Sequence, residues 1–291
     1  VLNILTDNGR VTGVSVRDDS GEKTFPCDCV IIATGGVSYP STGSTGDGYR
    51  FARELGHTIT PLYPSLVPLV VREEWACRLQ GISLKNICLK ASVHDKIKYC
   101  EQGEMLFTHF GISGPLVLRM TSVLATADWK NVHVSLDLKP ALTEEQLDAR
   151  ILRDFSASPR KHLQNLLPAL LPGRLADVFP ALCQVDPMKQ PAQITQAERL
   201  RIVKTLKALH LTPAGTRGFD EAIVTCGGVS VREIFPSTMM SKIIQGLFFA
   251  GEVIDVDAFT GGFSLQIAFS TGALAGQCAA EYDTDSIPKG L

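Results

Sequence analysis

A continuous apolar run, Cys29-Val30-Ile31-Ile32-Ala33-Thr34, closes on the glycine pair Gly35-Gly36 and constrains the fold more than any other stretch of this chain. Such a run lacks the alternation of a half-exposed strand, and suits a strand buried on both faces of a parallel sheet. The segment after it, Ser41-Thr42-Gly43-Ser44-Thr45-Gly46-Asp47-Gly48, is glycine-rich and opens a predicted helix over Gly46–Leu55, with Gly56 as its stop. A second run, Gly246-Leu247-Phe248-Phe249-Ala250-Gly251-Glu252, predicts a short buried strand ending in a carboxylate. Ala258 to Ala280 then carries no charge at all. A membrane span would tolerate that length, but only 13 of those residues are apolar and four are glycine. The composition predicts a helix buried against a sheet, with Gly272-x-x-x-Gly276 allowing close backbone approach. No membrane association is expected.

Between these landmarks the texture changes twice. Leu2–Thr6 and Val11–Arg17 flank Asp7-Asn8-Gly9, a tight-hairpin signal, and Asp18-Asp19-Ser20-Gly21 turns the chain into Lys23–Phe25. From Thr60 to about Lys139 the strand signals are Leu66–Val71, Ile87–Val93, Met105–Thr108 and Val132–Leu138, interrupted by a helical piece around Leu116–Ala125. Thr143-x-x-Gln146 and Thr195-x-x-Glu198 are capping-box signals, each opening an amphipathic helix. Strand and glycine texture returns at Ala222–Thr225 and Gly227-Gly228. Val1 opens the sequence in what reads as the middle of a strand, so the natural chain is expected to begin upstream.

Composition narrows the function classes. With 45% hydrophobic residues in 291, the chain has ample material for a core, and disorder is excluded. The 28 basic residues against 30 acidic ones give no global attraction to nucleic acid. Residues 141–212 hold ten Lys/Arg against seven Asp/Glu, which reads as a solvated surface. Eight cysteines are scattered without CxxC spacing, so no metal site is expected and reduced thiols in a cytoplasmic setting are the reading.

Three constellations can carry chemistry. At Ala33, Thr34, Gly35 and Gly36 the glycines let backbone amides approach a ligand, although a tight strand-to-helix turn without ligand fits the same residues. Gly251-Glu252 places a carboxylate at the carboxyl end of a strand, where open α/β sheets bind ligands. Gly261 and Gly262 would then aim the free amides of Phe263, Ser264 and Leu265 at a negatively charged edge, and a capped structural helix is the alternative. The third, Gly103 to Pro115, contains His109 and Ser113, but no G-x-S-x-G elbow accompanies them.

Taken together, ATGGVSYPSTGSTGDGYRFARELGH (33–57), GEMLFTHFGISGP (103–115) and the long stretch 225–276 resemble the BaiN/RdsA-type NAD(P)/FAD-dependent oxidoreductases, relatives of fumarate reductase flavoprotein subunits. The resemblance implies a mixed α/β and α+β fold: a partial, Rossmann-like FAD-binding domain carrying a β-rich insertion and a small helical subdomain. The implied boundaries are 1–58 with 213–291 for the FAD domain, 59–140 for the β-rich domain and 141–212 for the helical one. Ala33–Gly36 would lie along the cofactor's phosphate and ribose, and Gly251 and Glu252 would meet its ribityl or pyrophosphate part. Gly261 to Leu265 would face the flavin pyrimidine edge. NAD(P)H would be the co-substrate and a small organic molecule the acceptor, reduced at a conjugated C=C. Tyr39, His109, Ser113 and Asp257 are candidates for substrate contact. The family's strand–GxGxxG–helix unit for the ADP half has no counterpart here, so weak FAD binding and an open sheet edge are expected. Alternative readings are a fumarate-reductase-like flavoprotein with another electron donor, a tRNA-modifying relative, and a non-catalytic remnant.

Overall fold

The computed structural model describes residues 1–283, and the chain divides into two compact units, Val1–Leu66 with Gly218–Leu291, and Val67–Arg217. In the first, β1 (Asn3–Asp7), β2 (Arg10–Asp18) and β3 (Gly21–Pro26) form an antiparallel meander, turned at Asn8-Gly9 and Asp19-Ser20 as their turn chemistry dictates. β4 (Val30–Ile32) leads through the glycine turn into α1 (Asp47–Glu54), and β5 (Tyr63–Ser65) follows.

The second unit is built on one antiparallel sheet. Its chain order is β6 (Leu69–Val71), α2 (Glu74–Arg78), β7 (Ser83–Val93), β8 (Lys96–Thr108), β9 (Gly111–Ser113), α3 (Pro115–Val123) and β10 (Val132–Asp137). Then come α4 (Glu144–Ala157), α5 (Leu163–Leu166), α6 (Gly173–Leu182), α7 (Gln196–Lys207), β11 (Leu209–Leu211) and β12 (Pro213–Thr216). The strands lie in the order β11-β10-β7-β8-β9-β6-β12. Leu89, Phe107 and Leu136 from the strands share one core with Leu147, Phe179 and Leu206 from the helices. The β-rich and the helical stretches are therefore one packed body. Both predicted capping boxes form: Thr143 and Gln146 cap α4 reciprocally, as Thr195 and Glu198 cap α7. Arg199 clamps Asp148 with contacts of 2.6 and 3.3 Å, tying α7 to α4.

The chain returns to the first unit with β13 (Val224–Cys226), β14 (Leu247–Phe249) and α8 (Phe263–Ala280). β14 pairs parallel with β4 in the register Ile32↔Phe249, and β13 pairs antiparallel with β5. Phe248, Phe249, Ile32, Phe51 and Val229 form this unit's core. Buried within it, His57 receives the Ser241 hydroxyl on Nε2 at 2.8 Å and directs Nδ1 to the Ala52 carbonyl at 3.2 Å. Ser241 Oγ already accepts the amides of Ile243 and Ile244, so it donates to the ring, and the carbonyl requires a proton on Nδ1. The imidazole is thus neutral, and burial lowers its pKa.

Two expectations need correction here. β4 is not covered on both faces, since Ile31 and Ala33 are exposed among the described residues. Nor is α8 buried along its length: Ala275 is its one buried residue, whereas Phe263, Leu265 and Phe269 are 60, 63 and 70% exposed. A Cβ placed on Gly272 or Gly276 meets nothing within 4 Å, so the close approach read from their spacing is not made among the described residues. The physical reason is that only one face of α8 has a partner, the β14 side, and no described residue covers the other. No helix of the described residues is long and apolar enough to cross a membrane.

Candidate functional site

Both glycine turns lie beyond the carboxyl ends of the parallel strands. The Ala250 amide donates to the Ile32 carbonyl at 3.0 Å, so Ala33–Gly36 and Gly251–Glu252 leave the sheet side by side. This is the position at which parallel sheets expose unpaired backbone and bind ligands.

Glu252 organises the site. Its Oε1 accepts the Ser38 hydroxyl at 2.7 Å and the Thr225 amide at 2.8 Å, while Oε2 carries no hydrogen bond to the described residues. Thr225 Oγ1 in turn accepts the amides of Val37 and Ser38 at 2.9 and 3.1 Å. The Thr225 hydroxyl therefore holds the first glycine turn against β13. Gly36 fits only because it has no side chain: a Cβ there would lie 2.4 Å from Thr225 Oγ1 and 2.5 Å from Glu252 Oε1. Tyr49 is buried beneath, its hydroxyl directed to the Glu252 carbonyl at 3.4 Å. Burial first, then the charges of Glu252 and Asp255, push its phenol well above the usual range, so it remains a neutral donor.

The start of α8 is the second half of the site. Gly262 is the N-cap at φ 86°, Gly261 precedes it at φ 122°, and no side chain caps the helix. The first amides of an 18-residue helix are left for solvent or a ligand, with the positive end of the helix dipole behind them. Thr271 anchors the helix: its hydroxyl accepts the Gly251 amide at 2.9 Å and donates to the Ile267 carbonyl at 2.7 Å. The bare helix start is two turns away from that anchor, roughly 12 Å along the axis. An elongated ligand with hydroxyls at one end and an electron-rich edge at the other matches this arrangement. An apolar cavity of about 180 Å³ between Ile267, Met239 and Val256 is smaller than ordinary ligand pockets, and is not such a ligand's seat.

The sequence candidates separate as follows. Ala33 and Thr34 are exposed, Gly35 is half-buried at φ 73° and Gly36 is buried against Thr225. Tyr39 is 46% exposed and held at φ 47°, a left-handed conformation rare for an aromatic residue. Asp257 is half-buried and accepts the Ser65 hydroxyl at 3.1 Å. It also lies beside Cys226, whose thiol is pushed up to about 11 by burial, then by Asp257 and Asp255. These residues belong to the first unit. In the second, His109 is exposed and edge-on to Phe110 at 4.9 Å, while Ser113 ends β9. Ser38, Tyr49, Thr225 and Thr271 were not singled out by sequence. No spacing along the chain marks Thr225, whose partners Val37 and Ser38 lie 188 and 187 positions away. Among the described residues no cluster of His, Cys, Asp and Glu has the makings of a metal site.

Comparison with known proteins places these features in context. Residues 63–224 match the family model described as HI0933-like protein barrel and H2TH domain. Over 274 residues the chain is 33% identical to the 3-dehydro-bile acid delta(4,6)-reductase of Clostridium scindens, covering 92% of this chain and 66% of that protein. It is 30% identical over 273 residues to the ribosomal RNA dihydrouridine synthase of Escherichia coli, covering 93% of this chain and 64% of the relative. The enzyme of the same name from Haemophilus influenzae is 33% identical over 257 residues, with 85 and 59% covered. The chain thus spans no more than about two thirds of the length of these relatives.

Proposed function

Because this chain belongs to the HI0933-like, BaiN/RdsA-type family of flavoproteins, we propose that it forms the flavin-facing part of an FAD-dependent oxidoreductase. The observation that carries this reading is the Glu252–Thr225–Gly36 cradle at the ends of β4 and β14, together with the uncapped start of α8. The residues fit the cofactor through a carboxylate oxygen that carries no hydrogen bond to the described residues and through unbonded amides at a helix N-terminus, with Gly36 letting the first turn pack against Thr225 and Glu252. Glu252 Oε2 would accept a hydroxyl of the ribityl chain, and Ala33–Gly36 would run beside the phosphate end. The amides of Phe263, Ser264 and Leu265 would face the pyrimidine edge, where they would favour negative charge. When bound, FAD supplies two-electron hydride chemistry, and this chain supplies position and field. The exposed face of α8 and the open side of β4 support the further reading that the ADP half is held by sequence beyond these 291 residues.

The donor in this proposal is NAD(P)H and the acceptor a small molecule with a ring C=C. The names of the relatives describe saturating such a bond, in a bile acid for one and in a ribosomal RNA uridine for the others. A near-neutral chain with 28 basic and 30 acidic residues favours the small acceptor. Retention of flavin absorbance near ~450 nm after FAD incubation and desalting tests the reading. A version extended upstream should retain flavin and the present chain should hold it weakly. Flavin held by neither refutes the cofactor assignment. Anaerobic NAD(P)H should bleach the bound flavin; if it does not, another electron donor operates.

A further inference from the structure

All eight cysteines are free thiols, and two of them meet. Cys88 on β7 and Cys100 on β8 have their Sγ atoms 3.5 Å apart. The strand register explains the meeting: Cys88 pairs with Gln102 and Cys100 with Lys90, so the two cysteines occupy diagonal positions on one face of the sheet. That face is the one turned away from the core, since the neighbours Leu89 and Ala91 on β7 are buried. We propose that Cys88 and Cys100 are an oxidisable dithiol that closes to a disulfide across β7 and β8 when the protein meets a peroxide.

The two sulfurs have different exposures and therefore different roles. Cys100 is exposed and Cys88 half-buried. Burial and the neighbouring Cys100 push the Cys88 thiol up to about 11, so it is protonated at neutral pH. Cys100 is the sulfur a peroxide reaches first. Its thiolate attacks the peroxide, a sulfur–oxygen bond forms, the oxygen–oxygen bond breaks, and hydroxide leaves to become water. Cys88 then loses its proton and attacks the Cys100 sulfur; the sulfur–sulfur bond forms and hydroxide departs with that proton as a second water. Two thiols are oxidised, one peroxide is reduced, and the balance closes. Lys90, the register partner of Cys100, supplies positive charge on this face, while Asp137 lies opposite Cys88 from β10.

Peptide mapping decides the matter, because Lys90, Lys96 and Lys98 let trypsin separate the two cysteines. The full chain is exposed to stoichiometric hydrogen peroxide, alkylated and digested without reductant. The expected product is one linked Cys88–Cys100 peptide pair, about 2 Da lighter than its two reduced parts and ~10-fold more abundant than any other linkage. In Cys88→Ser, Cys100 should accumulate as a dimedone-trappable sulfenic acid. The proposal is overturned if both cysteines of the wild-type chain remain alkylatable like Cys27 and Cys29, or if Cys100 links two chains while Cys88 stays free.

Discussion

Helices α4 and α7 of the second unit begin with reciprocal side-chain caps and turn Leu147, Ile151, Val203 and Leu206 inward, whereas α8 of the first begins on a bare glycine and turns Phe263, Leu265 and Phe269 outward. The contrast extends to the sheets. Seven hydrogen-bonded strands carry the second unit's core, while the first rests on a meander and two two-stranded pairs. One unit satisfies its own backbone and buries its own apolar stripes. The other leaves amides, a carboxylate oxygen and aromatic rings open among the described residues. Stability and ligand readiness are thus distributed to different stretches of one sequence.

The largest expected effect lies in the closed core. Phe179→Ala removes a fully buried ring and should cost about 3–5 kcal/mol in urea unfolding monitored by circular dichroism. A loss under about 1 kcal/mol would break the contrast, because it would show the second unit's core to be loosely packed. Next is Gly36→Ala, which drives a methyl into Thr225 and Glu252 and should cost about 1–3 kcal/mol while abolishing flavin retention in the upstream-extended chain. Unchanged retention would separate the glycine turn from the cofactor. Thr195→Ala removes the α7 cap and should cost about 1 kcal/mol by the same unfolding assay.

An acid-dependent effect follows for the first unit. The folded pKa of His57 lies below its ordinary value of 6.5, so the unfolded chain binds the proton more readily. The stability that goes with the neutral ring is fully present above about 6.5 and is lost as pH falls toward the lowered value. His57→Gln should flatten that part of the stability–pH curve; an unchanged slope would assign it elsewhere. The smallest effect is at the open face, where Phe269→Ser should change stability by no more than about 0.5 kcal/mol while lowering binding of a hydrophobic dye.

Local rules carried the reading of sequence wherever structure is locally determined. The Asn8-Gly9 hairpin and both capping boxes involve residues within four positions of one another, and they form as read. The glycine turns were also legible, because a strand running into Gly-Gly has few uses. Thr225 was not, since its role depends on β13 pairing with β5 and on amides 187 and 188 positions away. The first half of β8 was missed for another reason. Lys96-Ile97-Lys98-Tyr99 alternates with charges, and the apolar Ile97 is 65% exposed while Tyr99 is buried. The meeting of Cys88 and Cys100 depends on strand register, which spacing along the chain does not reveal.

The hydrogen bond from the Arg217 amide to the Pro68 carbonyl, 3.1 Å long, joins the two ends of the second unit. This closure bears on the order of assembly. A ribosome releases Val67–Arg217 before Gly218, and that stretch holds a core of its own, so it is expected to fold while the first unit still lacks its second half, which protease protection of ribosome-stalled chains ending after Arg217 would check. Once folded, it brings residues 68 and 217 together and shortens the effective loop that the first unit must close. The search for Thr225 by Val37 then begins from neighbouring points rather than from the ends of a long open chain. The insertion acts as a timed splint, set before the fracture it joins is complete.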